Sequence, residues 1–236
     1  MSLILCIETG TDICSVGIAR DGELMSLRES DQGRDHAKQV AVFVDELLRE
    51  TGVKPDELDA VAVGMGPGSY TGLRIGVSFA KGLCYGLNIP LLAVGSLEAL
   101  TDVAIKDYEA GIIQVEGWDE ALLCPMVDAR RMEVYTQIFN SRCEAQSEVS
   151  AEIITEDSFS QWRAKGKLVI FGNGAAKCRE KITHPNAHFI DNIYPLAKWM
   201  FPLAEKAKSK GDFKDVAYFE PFYLKEFVAS QPKKLI

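Results

Sequence analysis

The sequence predicts an α/β protein built in two halves, each a sheet flanked by helices. Three observations predict it. Apolar runs of strand length alternate with stretches whose apolar residues recur at helical spacing. Each half opens with strands and later passes from strand to helix through a glycine-containing loop, at 66–72 and again at 172–176. Between the halves, 109–120 is more polar, contains Gly111 and Gly117, and reads as a connection. The boundary is therefore placed to give domains of 1–108 and 109–236, with a C-terminal helix expected to pack back on the first. A chain of 236 residues can bury one large core or two small ones.

Residues 3–8 form an apolar run, Thr9-Gly10-Thr11-Asp12 is turn chemistry, and 13–20 is a second strand rich in small and β-branched residues. Asp21-Gly22 signals a hairpin, and 23–29 complete a three-stranded meander. In 36–50, Ala37, Val40, Ala41, Val44, Leu47 and Leu48 make one helical stripe, and Gly52 suits its C-cap. Val42 and Phe43 fall off that stripe, either as ordinary exposed apolar residues or as a second face for a partner. Strands at 58–63 and 90–94 bracket a helix from about 71 to 87, and Ser96 is placed as the N-cap of a further helix. In the second half, strands at 121–127 and 132–139 are joined by Asp128-Ala129-Arg130-Arg131. A helix around 156–163, a strand at 167–171, a helix after Gly172-Asn173-Gly174 and a last helix at 193–210 follow. Pro221-Phe222-Tyr223-Leu224-Lys225 stands apart as an aromatic cluster.

The loop Gly66-Pro67-Gly68-Ser69-Tyr70-Thr71-Gly72-Leu73-Arg74 carries the strongest signal. Its glycines permit close backbone approach to a ligand or another chain, and a strand–loop–helix presents N–H groups that favour anions. It is not a P-loop, because no Lys-Ser or Lys-Thr follows, and Thr71 stands where a dinucleotide fingerprint needs its third glycine. In the helix that follows, Gly72, Gly76, Ala80 and Cys84 recur every four residues, and Gly82 and Gly86 make a second small pair. Each glycine inside a helix costs about 1 kcal/mol against alanine, so close contact must compensate. The helix is apolar nearly all round, with only Arg74 and Lys81 charged. Such a helix is either buried inside its own domain or set between its own sheet and a second protein. On the second reading, Gly76→Leu would disrupt association more than folding.

Composition narrows the classes. The net charge of −8 argues against a chain that grips nucleic acid by itself, since its compact basic clusters are Arg130-Arg131 and Lys233-Lys234. No apolar run approaches the roughly 18 residues of a membrane span, and the N-terminal residues lack a signal-peptide pattern. The six cysteines are scattered without C-x-x-C spacing, as in a reduced cytoplasmic protein. His36 has Val40 rather than histidine four residues on, so it reads as a surface or capping residue and no metal site is expected. Ser69 lacks the G-x-S-x-G elbow of a serine hydrolase. Glu8, at the end of the first strand, is the best-placed acid, beside a phosphate or metal or as a turn cap.

Together these residues resemble a known family. Ile4-Leu5-Cys6-Ile7-Glu8-Thr9 with Cys14-Ser15-Val16-Gly17 is similar to the first hairpin of the actin/hexokinase/Hsp70-like ATPase fold. The 66–76 stretch GPGSYTGLRIG looks like the hallmark of the bacterial TsaB (YeaZ) family, and the 127–135 stretch VDARRMEVY resembles its second motif. Gly172-Asn173-Gly174-Ala175 and the 221–225 cluster match weaker, later patches. The similarity covers nearly the whole chain.

The resemblance implies a two-domain, actin-like ATPase (ribonuclease H-like) fold with mixed sheets. It implies a non-catalytic subunit of the machinery that makes N6-threonylcarbamoyladenosine at position 37 of certain tRNAs. In that family the paralogue TsaD carries the metal and the transfer chemistry, and TsaE is an ATPase. TsaB pairs with TsaD through its first two helices, or with itself when alone, and meets tRNA only within the complex. Carried onto this sequence, the partner face is assigned to Phe43, Gly72, Leu73, Gly76, Val77, Ala80 and Leu83. Residual nucleotide or anion contact falls to Glu8, Thr9, Gly66, Gly68, Ser69, Thr71 and Arg74, with weakly held ATP or ADP as the only cofactor considered. Glu8-Thr9-Gly10 departs from the family's more frequent Asp-Thr-Ser, which argues against that contact. A stand-alone ATP-binding kinase or ATPase of the same fold is the alternative, and protease activity, an old label for the wider group, lacks both a metal pair and a serine elbow.

Overall fold

The computed structural model describes residues 2–31 and 35–224. Strands β1 (Leu3–Glu8), β2 (Cys14–Arg20) and β3 (Glu23–Ser30) form the antiparallel meander expected from the hairpin chemistry. Helix α1 (His36–Thr51) follows and ends at Gly52, in the left-handed region at φ 69°. Strand β4 (Ala60–Gly66), helix α2 (Tyr70–Leu87) and strand β5 (Leu91–Gly95) then add two parallel strands, giving the order β3-β2-β1-β4-β5.

Helix α3 (Ser96–Glu109) leads into a second sheet. Its strands are β6 (Leu122–Asp128), β7 (Glu133–Thr136), β8 (Phe139–Asn140), β9 (Ser150–Ile153), β10 (Leu168–Phe171) and β11 (Ala187–Phe189). The order is β11-β10-β6-β7-β9, with β8 beside β6. Strands β6, β7 and β9 are antiparallel neighbours, whereas β6, β10 and β11 run parallel. The second sheet thus repeats the first, with β6 in the place of β1 and β10 in the place of β4. The two halves are thus duplicated in topology, although they are not visibly alike in sequence.

Alternation along the first sheet builds two cores. Leu5, Ile7, Val16, Ile18, Val61 and Val63 face one way, onto Val40, Val44 and Leu47 of α1 and Val77 and Ala80 of α2. Ile4, Cys6, Ala19, Ala60, Ala62 and Leu92 face the other way, onto Ala197, Met200, Phe201 and Ala204. Those last residues belong to a 3-10 turn (Ala197–Trp199), to the linking residue Met200 and to helix α5 (Phe201–Ser209), which return the chain to the first sheet. Helix α3 serves both halves: Ala99 joins the first-sheet core, while Leu97, Leu100, Val103 and Ala104 pack with Leu123, Val169 and Phe171 of the second.

Several expected helices are shorter than their patterns. The 156–163 helix is the single turn α4 (Ser160–Arg163), and the segment after Gly174 is a 3-10 turn (Ala176–Cys178). The 193–210 helix is cut to α5 and the preceding 3-10 turn, because Pro195 and Pro202 interrupt the backbone hydrogen-bond ladder. Ser96 is the first residue of α3 rather than its cap, a place taken by Gly95.

Candidate functional site

The loop that follows β4 is pressed against the β1–β2 turn. Ser69 N–H donates to Gly10 O at 2.7 Å, and Thr9 Oγ1 donates to Gly72 O at 2.8 Å. Gly68, Gly72 and Gly76 make this approach feasible: a Cβ on them would overlap Gly10 O, Thr9 O and Thr9 Oγ1, respectively. The small-residue row of α2 therefore faces its own hairpin. Ser69 also caps α2, its Oγ accepting from Gly72 N–H at 3.3 Å. Ser69→Ala is expected to lower stability by about 1 kcal/mol, read as a shift of the urea midpoint without a change of slope.

Glu8 lies at the bottom of this contact, 1% exposed. Its Oε1 accepts from Gly10 N–H at 2.6 Å, and a Cβ at Gly64 would overlap its carboxyl group. Burial pushes its pKa up to about 7, against the opposing effect of N–H donors at Gly10 and Thr9. His36 is 6% exposed, and its Nε2 lies 2.9 Å from Thr11 O. It ties the start of α1 to the same turn, which corrects the surface or capping role expected of it. Among the described residues, no three His, Cys, Asp or Glu side chains stand together as a metal set.

Most residues of the expected anion site are engaged within the chain. Glu8, Thr9 and Gly66 are buried, the Gly10 carbonyl and the Ser69 hydroxyl are taken within the chain, and Gly68 packs on Gly10. Of the seven residues, only Thr71 and Arg74 are exposed, and Arg74 donates to Tyr70 Oη at 3.2 Å.

The residues expected at the partner face lie mostly inward in the single chain. Gly72, Leu73, Gly76, Val77 and Ala80 are buried in their own domain, and Phe43 and Leu83 are half-buried against the α1–α2 core. The outward side of α2 carries Arg74, Ser78, Gly82, Tyr85 and Gly86, with Ile75 and Phe79 half-buried beside them. Ser78, Gly82 and Gly86 form a second row at four-residue spacing, and a Cβ at either glycine would meet nothing within 4 Å. Tyr85 is 84% exposed. From α1, Ala37, Ala41 and Val42 are exposed on the outer surface. A groove of about 580 Å³ lies between the helices, lined by Ala37, Tyr70, Thr71, Arg74, Ile75, Ser78 and Phe79. The sequence shows both small rows; it does not show which one the sheet uses.

The second motif is a tight turn. Arg130 and Arg131 both have positive φ, 67° and 50°, Arg130 N–H donates to Asp128 Oδ1 at 2.7 Å, and Lys177 pairs with Asp128. Gly174 N–H donates to Met126 O at 3.0 Å, so the Gly172–Gly174 patch braces the end of β6. Between the halves lies a cleft of about 300 Å³, with Met65, Pro67, Leu97 and Phe222 as apolar walls and Glu98 and Glu148 as charged groups. No basic side chain is among the described residues that line it, an unfavourable setting for a nucleotide's phosphates.

Comparison with known proteins agrees with this architecture. A family model described as "TsaD: tRNA N6-adenosine threonylcarbamoyltransferase" matches residues 29–169. The tRNA threonylcarbamoyladenosine biosynthesis protein TsaB of Haemophilus influenzae is 29% identical over 234 residues, covering 95% of this chain and 94% of that protein. TsaB of Bacillus subtilis is 30% identical over 170 residues, covering 71% and 69%. The solved structure of YeaZ from Pseudomonas aeruginosa superposes with a TM-score of 0.74 at 28% identity, over 95% of this chain and all of that one.

Proposed function

This chain belongs to the TsaB (YeaZ) family, and from that premise we propose that it is a non-catalytic subunit in tRNA threonylcarbamoyladenosine synthesis. It pairs with a TsaD paralogue, which shares the fold and carries out transfer of the threonylcarbamoyl group to N6 of adenosine 37. Pairing uses the outward faces of α1 and α2. The observation that carries this reading is the open row Ser78-Gly82-Gly86 on a helix whose opposite side is already packed. A partner helix can approach such a row closely, and Ile75, Phe79 and Val42 supply apolar area around it. In the absence of TsaD the same face pairs two copies of this chain. TsaE joins the assembly, tRNA is met through the complex, and the work is done in the cytoplasm.

The kinase or ATPase alternative needs an open phosphate site at the β1–β2 turn. The Ser69–Gly10 hydrogen bond and the Gly68 contact fill that turn from within. Co-purification of the tagged chain with TsaD from the same cell, together with the modified-nucleoside content of tRNA after its depletion, tests the proposal. The expected result is a stoichiometric complex and loss of the modification. A chain that binds no TsaD and whose depletion leaves the modification intact sinks it.

A further inference from the structure

The two halves share a topology but not their helical cover. Helix α4 follows β9 as α1 follows β3, yet α4 has 4 residues where α1 has 16. Phe159 stands at the start of α4 with φ 62°, in the left-handed region that a bulky side chain rarely adopts. A single turn cannot cover β7 and β9 as α1 covers β2 and β3. A pocket of about 410 Å³ lies there, within the roughly 300–1,000 Å³ of small-ligand sites. Register sets Thr136 opposite Ser150 and Val134 opposite Glu152. Ser150 and Glu152 therefore share the face on which Val134 joins the core of Cys124, Met126 and Ile170.

Ile138, Phe159 and Trp162 are the apolar walls of this pocket, and Glu148, Ser150, Glu152, Ser160 and Gln161 line it with polar groups. The two other hydroxyls are taken: Thr136 donates to Pro125 O at 2.8 Å and Ser147 to Glu148 O at 3.0 Å. The five polar side chains have no hydrogen bond or ion pair among the described residues. Glu152 is half-buried, so its carboxylate lacks both full hydration and a counter-ion. Neither Lys165, whose Nζ lies 4.2 Å from the Trp162 ring centre, nor Arg163, which donates to Glu156 O, lines the pocket. Two carboxylates repel an anion. Among the described residues they also lack the third side chain of a metal set. We infer that this pocket binds an organic cation, a guanidinium or primary ammonium on a short aliphatic stem, with its charge at Glu148 and Glu152 and its stem along Phe159 and Trp162. The hydroxyls of Ser150 and Ser160 and the Gln161 amide oxygen accept its remaining N–H groups. Strand β9 ends the sheet, so the cation arrives either free or as the side chain of an extended segment paired with that edge. The pocket shares no lining residue with the α1–α2 groove, and its binding is independent of the pairing proposed above.

The Trp162 indole N–H resonance reports on the pocket. It is titrated with agmatine, and separately with a blocked tripeptide whose central residue is arginine. The wild-type chain is compared with Glu148→Gln and Glu152→Gln, each first shown to keep the wild-type unfolding midpoint. The expected result is a saturable shift with a Kd of about 1 mM or tighter, weakened about 10-fold in Glu152→Gln by loss of a charge-assisted hydrogen bond. Tighter binding of the peptide assigns the cation to a protein segment on the β9 edge, and tighter binding of agmatine assigns it to a free molecule. Either upholds the pocket. The absence of a saturable shift with both probes, at concentrations on the order of 10 mM, overturns the inference. So does equal affinity in the wild type and both variants, since the cation would then be held elsewhere.

Discussion

Gly76→Leu is expected to destabilise the protein strongly, whereas Gly82→Leu, six residues along the same helix, is expected to stabilise it. At position 76 any side chain runs into Thr9 Oγ1, whose hydroxyl donates to Gly72 O. The substitution overpacks the contact between α2 and the β1–β2 turn and breaks a buried hydrogen bond. Each effect costs about 1–3 kcal/mol, so a loss of about 4 kcal/mol is expected, a large share of a domain's stability. At position 82 a Cβ meets nothing, and replacing an exposed helical glycine gains up to about 1 kcal/mol. Urea unfolding of the two variants measures both signs. This differs from the expectation that Gly76→Leu would disrupt association more than folding, because the row that includes Gly76 packs inward.

Glu8→Gln is expected to stabilise the chain at alkaline pH and to flatten its pH dependence. The carboxyl group's pKa rises from 4.5 to about 7 on folding because burial disfavours the charged form. Between those values the folded state holds a proton that the unfolded state has released. Stability is therefore full below about 4.5, falls as pH rises through the window, and levels off above about 7. The difference corresponds to about 3 kcal/mol. Glutamine keeps an oxygen for the Gly10 N–H and carries no charge. Unfolding free energies measured at pH 5 and pH 8 should differ by about that amount for the wild type and by much less for the variant. Equal pH dependence in both proteins would mean that Glu8 is not the titrating group.

Much of the fold could be read from the sequence because its signals are local. Asp21-Gly22 gave the hairpin, Gly52 the end of α1, and the apolar period its core stripe of Val40, Val44 and Leu47. The helices that failed to form, at 176 and 193, carry apolar residues at helical spacing, but in one the preceding glycine turn and in the other Pro195 and Pro202 limit the helix. The candidate site was half legible. Both small rows on α2 are visible as spacing, but direction is a long-range property, set by Thr9 and Gly10 at a distance of more than sixty residues in sequence. Glu8 could be singled out from its place at a strand end. That its carboxyl fills the space left by Gly64 could not, because nothing in either residue's neighbourhood signals the pairing. His36 misled for the same reason: its partner is a carbonyl on another element.

We propose that the outward row of α2, and not the inward one, meets the TsaD partner. The direct measurement is a calorimetric titration of TsaD with the wild-type chain and with Gly82→Leu, after both are shown to be folded. Overpacking a close helix contact by a leucine costs about 1–3 kcal/mol, so affinity is expected to fall by roughly 10- to 100-fold while the unfolding midpoint holds or rises. Wild-type affinity in a folded Gly82→Leu chain would contradict the claim and place the partner on another surface.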